Sequence, residues 1–354
     1  MGMLDVSVMQ RYIRMCNDGW LQGWHERNGG NLTYRLTADE VSEMKHHFKK
    51  TPGPWVPMGV TGKNLAGEYF IATGSGKFFR NVILDPKDSL CVVEINEAGD
   101  SYRIVWGLKN GGRPTSEFPT HFMNHSVRVA ATDGATRVIY HAHPANLIAM
   151  TYVLPLTDRD FSRALWKSAT ECPVVFPGGV GVVPWMVPGG SEIALATCEK
   201  MKEYEAAVWA HHGLFVSGPD FDITFGLMHT IEKSAQIWIL QKSTGLPELQ
   251  TIEDDGLRAI AHDFGVQLKE EFLDYFLPSR QHSCYLYGTV GEGLAPPANI
   301  PVTCMAPLGR GLPLPPRRKP HIQQKWRIQA VRRFHLSLYF FFSVITLAIY
   351  GPAQ

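Results

Sequence analysis

The chain has 354 residues and a formal net charge of +1, with 45% hydrophobic and 19% charged residues, so it is long enough to bury a full core and gives no charge-based reason to expect a nucleic-acid partner. That total conceals an asymmetry: from Ser279 onward nine Lys or Arg stand against the single acid Glu292, while the preceding part holds 25 basic and 32 acidic residues. The chain reads as an acidic body, residues 1–278, followed by a basic tail, residues 279–354, and its six scattered cysteines form no Cys-x-x-Cys pair that would suggest a thiolate metal site or a disulfide framework.

The first fifteen residues carry Asp5, Arg11 and Arg14 in a short amphipathic pattern without an apolar signal core, so a cytoplasmic location is expected. Met9, Tyr12, Ile13 and Cys16 recur at helical spacing and predict an opening helix that Asp18 and Gly19 interrupt. Short runs with strand-like composition follow at Asn31 to Leu36, Tyr69 to Thr73, Ser89 to Ile95, Tyr102 to Gly107, Arg137 to His143 and Val208 to His212. Between and after them, Ser116 to Val129, Asp160 to Thr170, Ser191 to Glu205 and Phe221 to Leu240 read as helices. This mixture predicts an α/β fold with helices layered on a sheet. Beyond Pro278, eight prolines between residues 279 and 335 predict a segment without a packed core. The apolar stretch Leu336 to Tyr350 spans 15 residues, short of the ~20 needed to cross a bilayer as a helix, and membrane contact is not expected of it.

The strongest chemical signal is Val138-Ile139-Tyr140-His141-Ala142-His143-Pro144. Alternate residues of a strand share a face, so His141 and His143 can present two imidazoles to one ion. A catalytic zinc typically keeps three protein ligands and one open position, so a third is needed. The same pair could equally be two satisfied histidines at a strand end. His211 and His212, before Gly213, are the candidates for a third ligand; neighbours on a strand point to opposite faces, and pattern alone does not choose between them. His121 and His125, four apart on a predicted helix, lack the Glu of a His-Glu-x-x-His motif and read as helix-face packing.

Two glycine loops, Asn28-Gly29-Gly30-Asn31 and Thr73-Gly74-Ser75-Gly76-Lys77, allow backbone amides to approach an anion. A nucleotide P-loop would need Gly at 71 and Ser or Thr at 78, where Ile71 and Phe78 stand. Gly178-Gly179-Val180-Gly181 fails as a dinucleotide fingerprint because Pro184 and Pro188 interrupt the helix it should open. Pro114-Thr115-Ser116-Glu117 reads as a helix start: its two hydroxyls, near free amides, suit phosphate, and Glu117 falls in the first turn. An ordinary cap accounts for the same residues.

In this order the pieces resemble the class II aldolase and adducin family. The likeness runs from about Met9 to Phe264 and is carried by Trp24-His25-Glu26-Arg27-Asn28-Gly29-Gly30-Asn31-Leu32-Thr33, Thr73 to Asn81, Pro114 to Glu117, the His-x-His strand, Glu171-Cys172, Pro184 to Gly189 and His212-Gly213. Extended loops set it apart from the family's shorter fuculose-phosphate aldolases and ribulose-phosphate epimerases. The resemblance implies a layered αβα fold with a mixed, mainly antiparallel central sheet. It also implies metal-dependent retro-aldol cleavage of L-rhamnulose 1-phosphate to dihydroxyacetone phosphate and L-lactaldehyde, a step of L-rhamnose catabolism. By the same resemblance His141, His143 and His212 hold one Zn2+ per subunit, and Asn28, Asn31, Ser75, Gly76, Thr115 and Ser116 bind the substrate phosphate. Glu117 is then the acid/base, and Glu171 reaches a neighbouring subunit's site in a cyclic homotetramer. The alternatives are another sugar-phosphate aldolase or epimerase of the same fold, or a non-enzymatic adducin-like scaffold.

Overall fold

The computed structural model describes residues 2–274. The basic, proline-rich tail expected from residue 279 and its apolar end lie outside the described residues. Nine strands form one sheet: β1 Asn31–Arg35, β2 Val56–Pro57, β3 Tyr69–Thr73, β4 Leu90–Ile95, β5 Ser101–Gly107, β6 Val138–Ala142, β7 Gly181–Val183, β8 Ala206–Trp209 and β9 Gly213–Gly218. Their spatial order is β2-β5-β4-β3-β1-β6-β9-β8-β7. Every pairing is antiparallel except β7 with β8, so the sheet is mixed and mainly antiparallel.

Both faces of this sheet are buried, and the alternation of side chains along each strand says by what. Leu32 and Tyr34, Ile71, Leu90 and Val92, Val138 and Tyr140, and Leu214 and Val216 point to one face. There they pack with Met9 and Tyr12 of the helix Ser7–Leu21, Phe161 and Leu165 of Asp158–Ser168, and Leu227 and Ile231 of Phe221–Ser243. The intervening residues build two smaller clusters on the other face. Phe70, Cys91 and Val93 meet Phe118 and Phe122 of the helix Phe118–Ala131. Ile139, Ala207, Trp209 and Phe215 meet Ile193 and Met201 of Ser191–Met201. The layers are therefore αβα.

Between the two smaller clusters that second face turns polar. Asn31, Thr33 and Arg35 of β1 and His141 of β6 are buried there, with Asn31 directly opposite His141 in the register. An unpartnered buried polar group costs about 1–3 kcal/mol, so such a band persists only if its members bond to one another or to a ligand.

Several element limits differ from the sequence reading. The opening helix continues through Gly19 to Leu21, and Gly19 leaves room there for neighbouring side chains: a Cβ would lie 2.2 Å from the Tyr140 hydroxyl and 2.8 Å from Nε2 of His25. The helix expected from Ser116 begins at Phe118, so Glu117 is its N-cap residue and does not lie in the first turn. Ladder-like pairing of Gly74 with Pro114, and the Thr115 amide donating to the Thr73 carbonyl (2.8 Å), hold the preceding residues extended. The Thr115 amide is thus engaged and not free for an anion. The strand expected at Val208 to His212 ends at Trp209, because His211 takes a left-handed φ of 60° in a turn. β6 ends at Ala142, one residue before His143.

Candidate metal centre and active site

His141 is the next-to-last residue of β6 and faces the polar band. Its Nδ1 donates to the Leu214 carbonyl (3.1 Å), which leaves Nε2 as a lone pair, buried and without a partner. His143 lies past the strand end, so strand alternation does not set its direction. Its amide donates to the Trp24 carbonyl (3.0 Å) and its Nδ1 to Oε1 of Glu26 (2.6 Å), again leaving a buried Nε2 without a partner. The third imidazole, His212, sits in the turn between β8 and β9, where its amide donates to the Trp209 carbonyl (3.1 Å). His211 is turned elsewhere, bonded to Thr151 through both its amide and its Nδ1 (3.0 Å each) and packed on Tyr152.

The ring centroids of His141, His143 and His212 form a near-equilateral triangle with sides of 5.0, 5.1 and 4.9 Å. One ligand nitrogen from each lies within 4.8 Å of the other two. Burial, then the neighbouring His143, depresses His212 to about 4, and burial with both neighbours pushes His141 well below the ordinary imidazole range. Three clustered imidazoles fit a zinc-like ion, and the hydrogen bonds at Nδ1 of His141 and His143 set the tautomer that ligation through Nε2 needs. Gly213 permits the convergence: a Cβ there would stand 2.4 Å from the Ala142 carbonyl oxygen and 3.0 Å from carbons of both His141 and His143.

Glu117 is half-buried at the edge of the band, with its Oε2 accepting from Nδ2 of Asn31 (2.9 Å). Burial raises its pKa, while the Asn31 bond and the nearby His143 pull it down. Behind it, Asn31 Oδ1 bonds Nε2 of His121, and Thr33 Oγ1 lies 2.8 Å from both Nδ1 of His121 and Nε2 of His125. His121 and His125 are therefore members of a polar network as well as of a packed helix face.

Three loops surround this centre and carry the candidate phosphate residues. Asn28 is exposed on the first; a Cβ on its neighbour Gly29 would lie 2.9 Å from the His143 ring, so that loop rests on a candidate ligand. Ser75 and Gly76 lie on the second, tied to the first by the stack of His25 on Phe79 at 3.6 Å. His25 in turn donates from Nδ1 to the Gly29 carbonyl (3.0 Å) and meets the Tyr140 hydroxyl through Nε2 (2.7 Å). Thr115 and Ser116 lie on the third, which the Ser75 amide joins to the second by donating to the Arg113 carbonyl (2.9 Å). Lys77 is held by Asp88 (2.6 Å). Glu171 is not part of this constellation: it is exposed at the start of the short helix Cys172–Val175, lining a cavity of about 400 Å³ with His229, Thr230 and Lys233.

Glu26, Thr33 and Gly213 had no functional role in the sequence reading. Glu26 meets His143 across 117 positions and Thr33 meets His121 across 88, so no local spacing could signal either contact. For Gly213, the adjoining histidine pair was the available cue.

Comparison with known proteins agrees with this architecture. The model of the "Class II Aldolase and Adducin N-terminal domain" matches residues 10–239. The rhamnulose-1-phosphate aldolase of Mannheimia succiniciproducens is 49% identical over 259 residues, 73% of this chain and 94% of that protein. That of Escherichia coli O1:K1 / APEC is 48% identical over 258 residues, 73% of this chain and 93% of its own length. Among solved structures, a sugar-phosphate aldolase from Thermotoga maritima superposes with a TM-score of 0.56 at 26% identity, covering 68% of this chain and 96% of that one. With the layered sheet and the family match over most of its described length, the chain belongs to the class II aldolase and adducin family.

Proposed function

We propose that the chain is a metal-dependent aldolase that cleaves L-rhamnulose 1-phosphate into dihydroxyacetone phosphate and L-lactaldehyde. The observation that carries this reading is the triangle of His141, His143 and His212 with Glu117 bonded to Asn31 beside it, in a chain 49% identical to proteins named for that reaction. The three imidazoles would hold the ion, Zn2+ on the chemistry of the donor set. Bound there, it would supply Lewis-acid stabilisation of the charge that develops on the substrate oxygens.

The chain's own groups do the rest. As the bond between C3 and C4 breaks, the C4 hydroxyl loses its proton to solvent and becomes the aldehyde carbonyl, while the bond's electron pair stays on C3 in conjugation with the C2 carbonyl. Protonated Glu117 gives its proton to C3 and is reprotonated from solvent. Burial of Glu117 raises its proton affinity, which favours holding that proton before transfer. Asn28, Asn31, Ser75, Gly76, Thr115 and Ser116 are assigned to the phosphate, supported by the place of Asn31 on β1 opposite His141 and of the others on three linked loops. Asn31 would serve both the phosphate and Glu117. Glu171, which lines a cavity with His229, Thr230 and Lys233, is assigned to the site of a neighbouring subunit in a homotetramer. A cytoplasmic location fits such an enzyme, and among the described residues no helix is long and apolar enough to cross a membrane.

The test is elemental analysis of the purified protein, with rhamnulose, fuculose and ribulose phosphates assayed side by side in a coupled dihydroxyacetone phosphate assay. One zinc per chain and preferential cleavage of rhamnulose 1-phosphate are expected. Preference for another sugar phosphate would move the assignment within the family, and a metal-free, inactive protein would restore the scaffold reading.

A further inference from the structure

Beneath Glu117 a single file of hydrogen bonds runs into the core through Asn31, His121, Thr33 and His125. Asn31 is 6% exposed and the other three are fully buried. The file ends at Nδ1 of His125, a buried atom without a partner. Thr33 has one hydroxyl proton and cannot donate to both imidazoles; with that proton used inside the file, one ring donates to Thr33 and the other accepts from it.

Two polarities satisfy that count. In one, every donor points toward Glu117: His125 Nε2–H to Thr33, Thr33 O–H to Nδ1 of His121, His121 Nε2–H to Oδ1 of Asn31, and Asn31 N–H to the carboxylate. The terminal atom is then an unused lone pair. In the other, every bond is reversed, which requires a protonated Glu117 donating to a flipped Asn31 amide. The terminal atom is then a buried N–H with no acceptor, a situation folded proteins rarely tolerate.

We infer that this file is a positioning device that runs with its donors toward Glu117, fixing the face of the Asn31 amide and the orientation of the Glu117 carboxylate. Thr33, His121 and His125 are thus positioning residues acting through Asn31. Both imidazoles must be neutral for the count to hold; burial pushes His121 down to about 3 and His125 well below its ordinary value. The Ile139 carbonyl opposes the shift at His121 without reversing it. The inference rests on Glu117 being the proton carrier.

Thr33→Val removes the hydroxyl at nearly constant shape, and Thr33→Ser keeps it. For the zinc-loaded enzyme, Thr33→Val is expected to lower kcat about tenfold, as loss of one well-placed hydrogen bond can. Bound zinc should be unchanged, and Thr33→Ser should retain wild-type turnover. Wild-type kcat in Thr33→Val, or equal losses in both variants, overturns the inference. A second measurement needs no variant to fold for function: histidine ring ¹⁵N NMR of the wild-type protein should find His121 and His125 both protonated at Nε2, and Nδ1–H at either residue overturns it. Full activity of Glu117→Gln would sink the proton-carrier reading while leaving the ring tautomers as found, so the two failures are distinguishable.

Discussion

Two opposing influences meet at Glu117: burial favours its protonated form, while the Asn31 donor and the His143 ring favour the carboxylate. Burial is the larger influence, so the net effect is a raised proton affinity, which suits a proton carrier. Glu117→Gln leaves the three imidazoles untouched, so it should keep its metal and lose roughly 10²- to 10⁴-fold in kcat, the span of a general acid/base. His143→Ala removes a ligand and should lose the metal along with activity. Metal content measured beside turnover separates the two, and full activity of Glu117→Gln would remove the acid/base role. At this scale the sequence was legible where chemistry is local. His141 and His143 stand out because they are two apart, although the strand argument covers only the first. The choice of His212 over His211 came from resemblance, since both lie in a turn where alternation does not apply. The left-handed His211 is what sends the two rings to different partners.

Among the elements, the short helix Ala145–Met150 carries the chain away from the candidate ligands and depends on a residue far downstream. Glu232, in the helix Phe221–Ser243, is 8% exposed and accepts from the Asn146 amide (3.0 Å), the Asn146 side chain (2.7 Å) and the Leu147 amide (3.0 Å). A carboxylate at a helix N-terminus answers both the free amides and the dipole. Glu232→Ala strips the acceptor from one buried and two half-buried donors and should cost about 3 kcal/mol, measured by urea unfolding of the metal-free protein. A change below about 0.5 kcal/mol, the size typical of surface substitutions, would show that water replaces the carboxylate. Periodicity made the long helices visible, but not their ends. Asp158–Ser168 and Phe221–Ser243 start at side-chain caps, Thr157 and Asp220, and both starts are local and readable. The start of Phe118–Ala131 is set by pairing with residues some forty positions earlier, which no local window contains.

For the whole molecule, the assignment of Glu171 to a neighbouring subunit's site calls for a test across subunits. If each site draws Glu117 from one chain and Glu171 from its neighbour, subunits carrying Glu171→Ala and subunits carrying Glu117→Gln are each inactive alone. Refolded together in equal amounts, they should form intact sites wherever the right neighbours meet, restoring about a quarter of wild-type activity for random assembly in a closed ring. No recovery, with mixed oligomers demonstrated by mass, would confine Glu171 to another role. The layered fold and its mainly antiparallel sheet were expected at this scale from the family likeness; composition and periodicity alone led only to helices on a sheet. The polar band across one face was not anticipated, because Asn31, Thr33 and His141 share it only once β1 and β6 are side by side.

That pairing joins segments more than a hundred residues apart, and Asn31 opposite His141 is one of its rungs. Closing so long a loop is entropically costly and comes late in the assembly of a sheet. The imidazole triangle needs a further strand, β9, beside β6 before the His212 turn is in place. The three-histidine geometry is therefore complete only when β6 and β9 are paired, which makes the candidate metal centre a product of the finished sheet and not of any local segment.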